Sequence, residues 1–191
     1  MERKYIIRLF IIGLLMCAVF AASCAPKFNP DRPPWDTCYG TSGEHPCDFT
    51  LTDQNGNNVQ LYNSYGKVIV LDFSTMWCGP CQQAAREMEA VIAGYDPEEV
   101  VYMTILIENA FGKTPDLRDL QYWAESNGIK ESPVLGGSRD FLNTGDWPIT
   151  AWPTFFFIDK EMVLRGSNVG YSKWVIEESI DKLLEEVDTG T

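Results

Sequence analysis

Residues Leu71 to Gln82 read LDFSTMWCGPCQ, and the rest of the chain is best understood outward from them. The apolar, β-branched run from Lys67 to Phe73 predicts a strand, followed by a short turn and a helix that opens on Cys78, with Cys81 one turn further on. Unpaired N–H groups and the positive end of the macrodipole favour an anion there, so Cys78 is placed to ionise. Pro80 fits a first turn that does not use its missing N–H, and Gly79 lets a partner's backbone come close. Such a pair can attack a disulfide, form a mixed disulfide and resolve it.

A metal reading has little to stand on. Zinc would need a second CxxC or a histidine pair, whereas the chain has one histidine, His45, and Cys38 and Cys47 are nine residues apart. A purely structural bridge between Cys78 and Cys81 would cross-link less than one helical turn and stabilise little.

The motif carries a resemblance. WCGPC at 77–81 matches the thioredoxin active-site motif, with Asp72 six residues before the first cysteine. Trp152-Pro153-Thr154 resembles the cis-proline loop that faces the cysteines in that fold. From about Cys47 to Val187 the order of segments is similar to the membrane-tethered extracytoplasmic branch, the TlpA/ResA-like proteins. The resemblance implies an α/β thioredoxin fold: a central mixed β-sheet with helices on both faces, an N-terminal β-hairpin extension, and a helical insertion before the cis-Pro loop. It makes Asp72 the buried proton acceptor for Cys81, the resolving thiol, while Cys78 at the helix start is the nucleophile. Trp152 and Pro153 become a ledge for client proteins, with Trp77 and Trp152 as apolar walls and Gly79 and Pro80 beside them. It also implies protein thiols or disulfides as clients, a membrane protein as electron donor, and no cofactor beyond the cysteine pair. Two positions depart from the pattern. Val100 to Ile107 holds no basic residue to pair with the acid, and Arg86 stands where thioredoxins carry a proline.

Upstream, Arg3, Lys4 and Arg8 precede an uncharged run from Leu9 to Ala22, which predicts an export signal over 1–23. The run is short for a membrane span. Ala21-Ala22-Ser23-Cys24 resembles a bacterial lipoprotein cleavage box, which implies lipid attachment at Cys24 and a protein held on the periplasmic side of a membrane. Residues 24–37 contain Pro26, Pro30, Pro33 and Pro34 and predict an extended tether, leaving 38–188 as the thioredoxin-like domain. Six cysteines suit an oxidising compartment. A net charge of −12 speaks against nucleic acid and against adhesion to anionic lipid. With 191 residues, 45% of them hydrophobic, the chain supports one core rather than two.

Cys38 to Cys47 encloses Gly40, Ser42, Gly43 and Pro46. A structural disulfide there would order a loop of about ten residues. A second redox pair relaying electrons is the other reading, although neither cysteine opens a helix. His45 is expected to be solvated. Phe49–Leu51 and Val59–Leu61, around Asn55-Gly56, predict a hairpin. Downstream, the pattern predicts a helix from Gly79 to Ala93, a buried strand over Val100–Ile107, and a helix started by Thr114-Pro115 with Leu117, Leu120 and Trp123 or Ala124 inward. A short strand at 133–135, a loop or short helix over 138–145, strands at Thr154–Ile158 and Val163–Arg165, and a last helix capped by Ser172 complete it.

Three functions fit these residues. A thiol-disulfide oxidoreductase acting as reductant or exchanger comes first, because Gly-Pro between the cysteines offers the thiolate no charge or side-chain donor. Thr75-x-x-Cys78 resembles a peroxiredoxin pattern and keeps a thiol peroxidase using Cys78 open, though Leu71 replaces its upstream proline. A copper-handling or binding module of the same fold is the non-enzymatic alternative.

Overall fold

The computed structural model describes Trp35 and residues 37–188. The expected signal segment, Cys24 and residues 24–34 and 36 of the expected tether lie outside the described residues. Trp35, assigned from sequence to that tether, packs against the core and stacks on His45 with ring centroids 3.8 Å apart.

A two-stranded antiparallel hairpin, β1 (Thr50–Thr52) and β2 (Asn58–Gln60), leads into a 3-10 turn at Leu61–Ser64. The central sheet contains β3 (Val68–Thr75), β4 (Val100–Glu108), β5 (Val134–Gly136), β6 (Thr154–Ile158) and β7 (Leu164–Val169) in the order β5-β4-β3-β6-β7. β3 and β5 run parallel to β4, while β6 is antiparallel to β3 and to β7, so the sheet is mixed as expected. The helices are α1 (Gly79–Ile92), α2 (Leu117–Asn127), α3 (Arg139–Thr144) and α4 (Lys173–Asp188).

Alternation along β3 sorts its side chains onto two faces. Ile69, Leu71 and Phe73 join Met103, Ile105 and Phe156 on one face, where the hairpin's Leu51 and Val59 and α3's Phe141 and Leu142 pack. Val68 and Val70 join Tyr102, Phe155 and Phe157 on the other, beneath Ala84 and Met88 of α1 and Ile176 and Ile180 of α4. A third cluster gathers Met76, Cys78, Cys81 and Leu106 with Leu120, Trp123 and Ala124 of α2. β3 is buried at all eight positions because helices cover one face and the hairpin with α3 covers the other.

Several boundaries differ from the sequence expectation. β3 continues past Phe73 to Thr75 and β4 past Ile107 to Glu108, because polar Ser74, Thr75 and Glu108 are held by strand pairing that hydrophobicity does not reveal. α2 begins at Leu117, not at Thr114-Pro115. The Asp116 carboxylate accepts the N–H groups of Arg118 and Asp119, and the Asp119 carboxylate accepts that of Asp116, closing a capping box after the proline. Leu117, expected inward, is 43% exposed as a result, whereas Leu120, Trp123 and Ala124 are buried. His45 is not a free solvated side chain. Besides stacking on Trp35, its Nδ1–H donates to the Met162 carbonyl at 2.9 Å.

The loop closed by the Cys38–Cys47 disulfide is stitched to the sheet edge. Gly43 N–H donates to the Leu164 carbonyl at 2.7 Å, and Leu164 N–H to the Glu44 carbonyl at 2.9 Å. Leu164 pairs with Ile158, whereas Thr154, next to Pro153, begins the same strand β6. The staple therefore sits at the opposite end of the sheet from the Cys78 turn.

Candidate active site

β3 delivers its chain at Thr75, and α1 begins four residues later at Gly79. Cys78 occupies the N-cap: its backbone is extended, and its sulfur accepts the Cys81 N–H at 3.3 Å. That interaction turns one otherwise unused helix N–H toward the sulfur, the arrangement that stabilises a thiolate. Pro80 lies in the first turn, where no hydrogen bond is lost. Cys78 and Cys81 are joined as a disulfide with Cα atoms 5.2 Å apart. Cys81 is fully buried and Cys78 is 7% exposed, while Trp77, Gly79 and Pro80 around them are exposed. Any attack must therefore come through the Trp77–Pro80 rim. A Cβ added at Gly79 would meet nothing within 4 Å, so the rim is open at that point.

Asp72 lies on the face of β3 that α1 and α4 cover, since it alternates with Val68 and Val70 and pairs in register with Thr104 and Phe155. It is fully buried, and its partners are hydroxyls rather than a cation. Ser74 Oγ donates to it at 2.6 Å, Tyr102 OH at 2.7 Å and Thr104 Oγ1 at 3.5 Å. Burial pushes its pKa up to about 6, against which those hydroxyls pull it down. Burial and the neighbouring Asp72 charge in turn push the Tyr102 phenol well above its ordinary value, so Tyr102 stays a donor. The absent lysine is thus replaced by neutral donors, which leaves the carboxyl poised near neutral pH.

The Trp152–Pro153 peptide is cis, as the resemblance implied. Pro153 is buried and Trp152 half-buried, its ring packed against the cluster that holds Cys78 and Cys81. The structure thus gathers Cys78, Cys81 and Trp152 in one cluster, with Trp77, Gly79 and Pro80 beside Cys78 in the chain and Pro153 beside Trp152, while Asp72 lies three residues before the end of β3. Cys38 and Cys47 lie apart from them, bonded to each other, and Cys24 is outside the described residues.

Two charged residues complete the rim, and neither was expected from the sequence. Glu108 ends β4 and accepts the Trp77 indole N–H through Oε2 at 2.8 Å. Its Oε1 accepts Arg139 Nε–H at 2.6 Å, and the Arg139 guanidinium carbon lies 5.7 Å from the Trp152 ring centroid. The Arg139 bond holds the Glu108 carboxyl below its usual value, and the same bond raises Arg139. A carboxylate at the carboxyl end of a central strand was the available signal for Glu108. Nothing local marks Arg139. Tyr102, Ser74 and Thr104 were not expected either, because hydroxyls within apolar strands carry no signal of the carboxyl they serve. Thr75 Oγ1 is buried without a hydrogen-bond partner three residues before Cys78.

Residues 43–167 match the sequence profile of the AhpC/TSA family. The chain belongs to the AhpC/TSA family. It is 23% identical over 140 residues to the thioredoxin-like protein YneN of Bacillus subtilis, covering 73% of this chain and 78% of that protein. It is 26% identical to the thiol-disulfide oxidoreductase ResA of Geobacillus kaustophilus, covering 73% and 74%. Among solved structures, the putative thiol:disulfide interchange protein DsbE of Chlorobium tepidum superposes with a TM-score of 0.62 at 22% identity, over 76% of this chain and 96% of that one. The exposed lipoprotein thioredoxin Etrx1 of Streptococcus pneumoniae gives 0.60 at 26% identity, over 73% and 99%. The thioredoxin-like fold expected from the motif is the observed one, and the expected enzyme class, a thiol-disulfide oxidoreductase, stands with it.

Proposed function

We propose that this member of the AhpC/TSA family is an extracytoplasmic, membrane-tethered reductant or exchanger of protein disulfides. The observation that carries the reading is Cys78 at the cap of α1, bonded to buried Cys81, with buried Asp72 on the sheet face beneath that helix. In the reduced protein the Cys78 thiolate attacks one sulfur of a client disulfide. The client S–S bond breaks, its other sulfur leaves as a thiolate, and a Cys78–client mixed disulfide forms. Cys81 then gives its proton to Asp72 and attacks the Cys78 sulfur, releasing the second client thiolate. The client gains two electrons and the enzyme is left as the Cys78–Cys81 disulfide, to be reduced by a membrane electron donor of the kind the TlpA/ResA resemblance implies.

Client binding falls to the rim. An extended client segment pairs with the backbone at Pro153, between the Trp77 and Trp152 walls, while Gly79 and Pro80 leave room for its chain. The Cys38–Cys47 pair is structural, since its loop is tied to the sheet edge far from α1. Residues 1–23 are the export signal, Cys24 carries the lipid, and 24–37 span from the membrane to the domain at 38–188. Among the described residues no helix is long and apolar enough to cross a membrane.

The reduction potential of the Cys78/Cys81 couple tests the direction. A value near about −270 mV supports a reductase, and one near about −120 mV replaces it with a disulfide-forming oxidant. A second reading has one observation in its favour, the partnerless Thr75 hydroxyl close to Cys78. In a thiol peroxidase, Cys78 would attack a peroxide oxygen and become a sulfenic acid, which Cys81 would convert to the disulfide with loss of water. Rapid peroxide consumption with a trapped Cys78 sulfenic acid would establish it. The copper reading loses support, because His45 is engaged with Trp35 and Met162 and not with the cysteines of α1.

A further inference from the structure

We propose that Arg139, in the insertion before the cis-Pro loop, is a positioning residue that joins the two tryptophan walls of the client groove into one unit. The inference rests on the reading of Trp77 and Trp152 as those walls. The two walls stand on separate segments, and only Trp152 is packed against the core clusters. Trp77 is 49% exposed on the turn before α1, and Trp152 is half-buried on the loop before β6, 75 positions later. They meet through one ion pair. Trp77 Nε1–H is held by Glu108 Oε2 at 2.8 Å, Arg139 Nε–H is held by Glu108 Oε1 at 2.6 Å, and the Arg139 guanidinium lies over the Trp152 ring at 5.7 Å.

The geometry suits an arginine in particular. Its planar group can donate along its edge to a carboxylate while its face covers an indole, which a lysine ammonium cannot do. The pairing is also lopsided in exposure: the Glu108 side chain is 11% exposed and that of Arg139 is 62%. Without Arg139, a nearly buried carboxylate next to the redox turn keeps, among the described residues, only the Trp77 indole as a side-chain donor, and the cover over Trp152 is gone. A groove whose exposed Trp77 wall is no longer joined to the packed Trp152 wall binds an extended client more weakly, because that wall must be ordered at binding. The cysteines and Asp72 are not touched by this change, so the loss belongs to KM more than to kcat. Arg139 is the first residue of α3, which brings the linking group to Glu108 at the end of β4.

Two measurements test it. In the oxidised protein, indole N–H signals of Trp77 and Trp152 are assigned in nitrogen–proton correlation spectra with Trp77→Phe and Trp152→Phe. Arg139→Gln should move both signals, and Arg139→Lys, which restores charge at Glu108 but no planar cover, should restore only that of Trp77. Either signal unmoved in Arg139→Gln, or both restored by Lys, overturns the proposal, whatever the protein does to disulfides. With insulin as the probe disulfide, Arg139→Gln should raise KM about tenfold and lower kcat by no more than about twofold. An unchanged KM, or a fall confined to kcat, likewise overturns it. Absence of insulin turnover by the unaltered protein would count against the disulfide-reductant reading alone, and the spectra would still decide the role of Arg139.

Discussion

Two disulfides among the described residues differ in everything but the bond. Cys38–Cys47 closes a loop of Gly, Ser and Pro and is anchored by backbone hydrogen bonds to Leu164 at one end of the sheet. Cys78–Cys81 caps a helix at the other end, with a buried carboxyl on the sheet face below and tryptophans at its rim. The first removes freedom from a segment with no regular structure. The second constrains a segment the helix already orders, so its value lies in being broken and remade. What sets the two bridges apart is what surrounds the sulfurs: at Cys78 a helix start, a buried carboxyl on the sheet face below and an exposed rim.

The comparison breaks most readily at Cys78. Cys78→Ser should lower disulfide exchange by more than about a thousandfold, and Cys81→Ser should accumulate mixed disulfide with clients, measured by gel shift after alkylation. Exchange retained in Cys78→Ser and lost in Cys38→Ser would reverse the assignment of the two pairs. Next in size is Asp72→Asn, which should slow turnover by about a hundredfold and remove an inflection near pH 6 from the rate profile.

The same substitution has a stability signature of definite sign. Burial raises the Asp72 pKa from 3.8 to about 6, so between those values the folded protein holds a proton that the unfolded chain has released. Stability from this group is complete below pH 3.8 and lost as pH climbs through 6. Asp72→Asn should therefore be more stable than the unaltered protein at pH 8, by about 3 kcal/mol in urea unfolding, with the gain closing below pH 4. A gain that does not vary with pH would mean that Asp72 titrates normally.

Cys38→Ser with Cys47→Ser sharpens the contrast from the other side. A ten-residue loop predicts a loss of about 3 kcal/mol in urea unfolding, with exchange rates within about twofold of the unaltered protein. A changed reduction potential at Cys78/Cys81 in that variant would instead indicate a relay between the pairs. The smallest effect is expected for Tyr102→Phe. It removes a donor that favours the Asp72 carboxylate, so the inflection should move to higher pH and turnover at pH 7 should fall severalfold.

Much of this site was legible because it is local. WCGPC sets a helix start and two sulfurs one turn apart within five residues, and Trp152-Pro153 marks its loop by the proline alone. The hairpin turn at Asp53–Gly56 announced itself in the same way. Helix α2 starts at Leu117 rather than at Thr114-Pro115, because the reciprocal hydrogen bonds of Asp116 and Asp119 set its first turn. Leu117 carried an inward pattern but fell on the wrong side of that corrected start.

The chain's own order of residues determined that cysteine chemistry occurs here, which strand and helix carry it, and that the domain is α/β, since each depends on neighbours a few positions apart. Tertiary structure alone decided what tunes and frames that chemistry. Tyr102 reaches Asp72 across 30 positions, Arg139 reaches Glu108 across 31, and the same guanidinium covers Trp152. Hydrogen bonds and ion pairs act over about 3 Å, so they follow strand register and the path of the insertion, and no spacing along the chain encodes them.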